Sequence, residues 1–192
     1  MGAAELSVEY FTGQAEFREW LAAHHASSPG IWLKMAKKGS AQSSIDYDRA
    51  LEVALCYGWI DSQVRRVDDD FFVQRFTPRS ARSPWSKRNR EFAEKLADAG
   101  LLEPAGVAEV ERARADGRWD RAYAGQKAAE IPQDFLDALA RNPEAEAFYA
   151  TLDSHNRYAV YYRLQDAKRP ETRARRIEKF VQQLAERRKF HD

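Results

Sequence analysis

The chain is poor in the residues that carry sulfur, metal and phosphate chemistry. A single cysteine in 192 residues, Cys56, excludes an intramolecular disulfide and any cysteine-cluster zinc site. It falls inside an apolar helical pattern, where cysteine serves as a small buried hydrophobe. The four histidines, His24, His25, His155 and His191, are too scattered to read as a metal set. His24 and His25 close the first helical pattern, where a cation complements the helix dipole. No stretch approaches the roughly 18 apolar residues of a membrane span. The opening MGAAELSVEYFTG has neither the basic n-region nor the apolar h-region of a signal peptide, so a cytoplasmic location is expected. A G-x-S-x-G elbow, a phosphate-binding Gly-rich loop ahead of a helix, an H-E-x-x-H pair and a dinucleotide fingerprint are all missing. No cofactor and no metal are therefore expected.

What is present is a charged, water-soluble composition: 44% hydrophobic and 32% charged residues, with a net charge of +1. The charges are unevenly placed. Basic residues crowd into Arg65–Arg90 and again into Arg163–Lys189.

Periodicity predicts an α+β protein. LSVEYF reads as a short strand, and Thr12 caps a helix bearing Phe17, Trp20 and Leu21. Ile31, Leu33 and Met35 alternate with Trp32, Lys34 and Ala36 as in a half-buried strand. Asp46 caps a second helix that ends at Gly58, a left-handed C-terminal position. WIDSQVRRVDDDFFVQRFT then forms a hairpin with its tip at Asp68–Asp70. Counting outward from the tip puts Ile60, Val64, Phe72 and Phe76 on the core face, and Asp61, Gln63, Arg65, Val73 and Arg75 on the other. Asp61 and Arg75 then come within salt-bridge reach. The three tip acids read as a solvated turn, since they lack cation-ligand spacing.

Helices follow, from Ser83-Pro84 or Ser86 to Gly100 and from Pro104 to Gly117. Further helical starts are marked by Pro132, Asn142-Pro143, Ser154 and Pro170. The organisation expected is an α+β subdomain over 1–117 with a small, mostly antiparallel sheet, a linker over 118–131, and an all-helical subdomain over 132–192.

The chemistry lies in cations and aromatics around the sheet: Trp32, Lys34, Trp59, Asp61, Arg75, Arg79, Arg82 and Trp85. Arginine forks and tryptophan faces suit phosphate, carboxylate or a stacked base. In the last helix Arg169, Arg173 and Arg176 recur at three- and four-residue spacing as a basic stripe, alongside intrahelical pairs such as Glu171 with Arg175.

Three stretches carry a family resemblance: ALCYGWIDS from Ala54, RFTPRSARSPWSKRN from Arg75, and NRYAVYYRLQDAKRPETRARRIEKFV from Asn156. Together they resemble the bacterial YdeI/OmpD-associated family, also called bacteriocin-protection proteins, over about Phe17 to Leu184. The resemblance implies an intracellular bacterial protein linked by name to an outer-membrane porin and to protection against antibacterial peptides. It brings no catalytic or binding positions with it, so the site candidates rest on the residues alone.

The function expected is non-enzymatic binding of a small anionic ligand or partner at the Trp/Arg-rich surface, in stress or antimicrobial resistance. Two alternatives stand beside it. One is nucleic-acid binding through the basic segments 75–90 and 163–189. The other is an enzyme with Asp61 as acid or base.

Overall fold

The computed structural model describes residues 6–167 and 169–191. Lys168, part of the second basic segment, lies outside the described residues. The fold is α+β, with a four-stranded sheet and eight α-helices among the described residues. The chain divides into two compact units, Met1–Ala122 and Tyr123–Asp192.

Four strands build the first unit: β1 (Val8–Tyr10), β2 (Ile31–Ala36), β3 (Trp59–Arg66) and β4 (Phe71–Pro78). Their spatial order is β1-β2-β4-β3, with β1 parallel to β2 and the other two pairings antiparallel. Helices α1 (Gln14–His24), α2 (Tyr47–Cys56), α3 (Lys87–Asp98) and α4 (Pro104–Ala115) complete the unit.

Two helix starts show how local chemistry decides the elements. Asp46 accepts from the Arg49 amide at 3.0 Å and so fills the N-cap as its side chain predicts. At α1 the cap position falls to Gly13 rather than Thr12. Thr12 instead donates its amide and its hydroxyl to the Glu16 carboxylate, at 2.8 and 2.7 Å, so the carboxylate reaches back from the first turn. Of the two candidate starts for α3, Ser86 is the cap, accepting from Asn89.

The core of this unit lies on one face of the sheet. Ile31, Leu33, Met35 and Phe76 are at most 1% exposed and pack with Phe17 and Leu21 of α1 and with Leu51, Ala54 and Leu55 of α2. Two glycines permit the approach of α4. Gly58 takes φ +71° after α2, the left-handed value that favours glycine. A Cβ on Gly106 would stand 2.3 Å from the Cys56 carbonyl oxygen, so α4 crosses the end of α2 at backbone contact.

The second unit contains α5 (Gln133–Leu139), α6 (Pro143–Ala150), α7 (Ser154–Gln165) and α8 (Pro170–Ala185). Phe135, Leu139, Tyr149, Val160, Leu164, Ile177, Phe180 and Leu184 form its core. The buried residues of α8, Ile177, Phe180 and Leu184, recur at three- and four-residue spacing, one stripe of an amphipathic helix.

The hairpin tip falls where the sequence places it, and Asp68 accepts from the amides of Asp70 and Phe71, closing the turn with its own side chain. The face assignment needs a correction. Asp61 pairs with Phe76 and Val64 with Gln74, so three steps along β3 match two along β4, and a β-bulge lies between. Beyond the bulge, Val64, Phe72 and Phe76 share one face and Arg65, Val73 and Arg75 the other, as expected. Before it, the parity inverts: Asp61 lies on the face of Phe76 and Ile60 pairs with Thr77, though Ile60, half-buried, still packs against the core as expected. The expected Asp61–Arg75 salt bridge is therefore not made. The Asp61 carboxylate accepts from the Tyr47 hydroxyl at 2.8 Å instead.

Candidate functional site: the outer face of the sheet

Cross-strand partners share a face, so the register places the side chains turned away from the first unit's core. One row crosses all four strands, Arg65–Val73–Lys34–Tyr10. The next holds Arg75, Trp32 and Val8, and a third begins at Phe71. Trp32 and Val73 are 9% and 8% exposed, yet neither belongs to the core clusters of the two units. Cations lie over the aromatics. The Arg65 guanidinium sits 4.1 Å from the Trp32 ring centroid, and Lys34 Nζ 4.0 Å from that of Phe71. Tyr10 meets Phe71 edge-on at 6.2 Å and remains 43% exposed, beside Val8 at 61%. Arg75 is half-buried, with its Nε enclosed and making no hydrogen bond.

A guanidinium or ammonium over an aromatic ring gains about 0.5–2 kcal/mol and loses part of its hydration. It is thereby held in place with its donors still directed outward, the state in which an anion is met at low ordering cost. At the strand positions of this face, among the described residues, the register places three cations and no carboxylate.

The sequence-predicted site does not converge as one cluster. Trp32, Lys34 and Arg75 come together on the outer face. Trp59 is 1% exposed in the core and donates its indole N–H to the His25 carbonyl at 3.1 Å. Asp61 lies on the opposite face, as described. Trp85 is 2% exposed, packed edge-on against Trp119 at 4.9 Å, and Arg79 stacks on it at 3.6 Å while donating to the Pro84 carbonyl. The reason is local. After β4 the Arg79 amide bonds to the Gly58 carbonyl, and the following turn carries Trp85 inward among buried charges. Arg118 anchors them, bonded to Asp116 and to the Ser83 carbonyl at 2.9 Å. Burial pushes the Glu109 carboxyl up, against the lowering effect of Arg112, Arg79 and Arg118. This arginine–tryptophan stack is packing, and Arg82 stands apart from it in the exposed turn.

Sequence reasoning missed Arg65, Phe71 and Tyr10 as members of the site. For Arg65 the signal was present, since alternation already placed it with Val73 and Arg75.

The basic stripe of the second unit is largely tied down. Arg173 makes a two-pronged pair with Asp134, at 2.6 and 2.9 Å, and donates to the Leu164 carbonyl. Arg176 bonds to the Arg163 carbonyl and to Asp166. Arg169 sits exposed at the N-cap of α8. The hydrogen bonds from Arg173 hold the Asp134 carboxyl below the usual carboxylate range. A depressed folded value adds stability that is complete above the ordinary Asp pKa of about 3.9 and is lost as pH falls through the folded one. Asp134→Asn is thus expected to lower stability at pH 7 by about 1 kcal/mol, a figure reduced for solvent screening. In denaturant titrations the gap between the two proteins should close towards pH 2; a gap independent of pH would refute the assignment.

Among the described residues no helix is long and apolar enough to cross a membrane, and no group of three or more His, Cys, Asp or Glu is placed to hold a metal ion. Cys56 is buried, with the Arg18 guanidinium 3.7 Å from its sulfur, and burial pushes its thiol up, away from the reactive thiolate.

The fold and this face define a two-unit α+β protein, with a sheet face of cations and aromatics in the first unit and a helical second unit. The chain belongs to the family described as "Domain of unknown function (DUF8412)", whose model matches residues 9–109, more than half of its length. Residues 128–187 match a second model, "Bacteriocin-protection, YdeI or OmpD-Associated", in agreement with the resemblance of the closing helices. No curated protein and no solved structure matches.

Proposed function

We propose that the protein is a cytoplasmic, non-enzymatic binding protein of the bacteriocin-protection type, whose first unit holds an anionic ligand with a planar group against the outer face of the sheet. The observation that carries this reading is the convergence of Lys34, Arg65 and Arg75 with Trp32, Phe71 and Tyr10 on one side of the sheet, without a carboxylate at its strand positions. Charge supplies attraction and the rings supply a stacking surface.

Two probes separate these contributions: inorganic phosphate carries charge without a ring, and adenosine monophosphate carries both at a similar charge. Calorimetry should find the nucleotide at least about fivefold tighter, since stacking a base on an aromatic contributes about 1–3 kcal/mol. Joint replacement of Lys34, Arg65 and Arg75 by alanine should remove both signals. Equal affinity for the two probes, or binding unchanged in the triple variant, would refute the reading.

A further inference from the structure

We infer that the natural occupant of the outer face is a single-stranded nucleic acid, an inference that rests on the anionic, planar ligand proposed above and names its class. The spacing of the cations is the first argument. The backbone positions of Arg65 and Lys34 share a row two strands apart, about 10 Å, and that of Arg75 lies on the strand between them and one row along, about 8 Å from each. The Arg65 guanidinium leans over Trp32 and Lys34 Nζ over Phe71, in different rows. A single small anion engages one of these positions. A ligand that meets all three carries several negative groups spaced along its length, as a phosphodiester chain does.

The second argument is shape. Small-molecule sites are concave and enclose their ligand, whereas this surface is one side of a four-stranded sheet whose edge strands β1 and β3 do not pair with each other. An extended polymer can lie across it. The third argument is the aromatics between the charges. Tyr10 is exposed, and the rings of Phe71 and Trp32 lie beneath Lys34 and Arg65. As a phosphate draws either cation aside, a ring face opens for a base, so charge and stacking sites alternate along one path. Only an unpaired strand has base faces to offer. A duplex keeps them stacked and is read through its grooves, which a broad sheet face does not enter.

Fluorescence anisotropy with a labelled twelve-nucleotide single strand tests this on the full chain. Binding is expected in the micromolar range at low salt, with log K falling against log salt at a slope near −2, about −0.7 for each of three phosphate contacts. Lys34→Ala, Arg65→Ala and Arg75→Ala should each flatten the slope by about 0.7. Tyr10→Ala should weaken binding about fivefold and leave the slope unchanged. Lys95→Ala, in the last turn of α3 on the core side, should change neither. Circular dichroism of every variant guards against misfolding.

The inference is overturned if a duplex or polyglutamate of equal charge binds as tightly, or if the slope ignores all three cations. It is also overturned, with the ligand reading left standing, if adenosine monophosphate binds at this face and the oligonucleotide binds no tighter. Failure of every probe would remove both.

Discussion

Gly106→Ala is expected to destabilise the first unit by about 3 kcal/mol, the opposite of what the substitution does in an ordinary helix. Alanine is the better helix former by about 1 kcal/mol, and Gly106 sits inside α4. A methyl group there would stand 2.3 Å from the Cys56 carbonyl oxygen and 2.9 Å from that of Leu55. These are backbone atoms, so no side chain can rotate aside. Either α4 lifts from α2 or the end of α2 distorts, and overpacking of this kind costs about 1–3 kcal/mol, occasionally more. The separation would also disturb the Glu103 amide bond to the Cys56 carbonyl, 3.0 Å long. Ala108→Gly, at an exposed position of the same helix, should cost only the ordinary 1 kcal/mol or so. All five tryptophans precede Tyr123, so tryptophan emission during denaturation follows this unit. A Gly106→Ala protein as stable as wild type would show that the crossing is looser than drawn.

Phe135→Ala should lower the stability of the second unit by about 4 kcal/mol, the usual loss for a buried phenylalanine. Its ring is 0% exposed and meets Tyr149 edge-on at 5.5 Å, in a core drawn from four short helices. A unit of this size has little stability to spare. The loss is therefore expected to leave it partly unfolded near room temperature. Near-ultraviolet dichroism of its tyrosines and amide exchange in α5 and α8 would register the change. Leu136→Ala, one residue further and 36% exposed, should cost well under half as much. Equal losses at the two positions would mean that α5 is not seated as described.

Much of this architecture is legible because it depends on local chemistry. The Asp46 cap, the left-handed Gly58, the Asp68 turn and the proline starts of α4, α6 and α8 each follow from what one side chain can do to its own backbone. The site was less legible, for two physical reasons. Alternation gives a strand two faces but cannot reveal an extra residue, so Asp61, before the bulge, changes face while Arg65 and Arg75 hold theirs. Composition also cannot distinguish an arginine stacked on a tryptophan inside the fold from one stacked at its surface. Arg79 on Trp85 and Arg65 on Trp32 are the same chemical pair, and what separates them is burial: Arg79 is 6% exposed, whereas Arg65 lies open to solvent.

The bulge between Asp61 and Val64 also makes the polarity of the sheet a matter of pairing rather than composition. Were the pairing to run on regularly from Asp61 with no residue bulged out, Val64 would pair with Val73 and Arg65 with Phe72, bringing the guanidinium to the side of the core and the valine to the side now held by cations. No residue type would need to change. Drift in this surface among relatives should therefore be sought in whether the bulge at Ser62 and Gln63 is kept, in chains of unchanged length, as much as in the loss of the basic residues themselves.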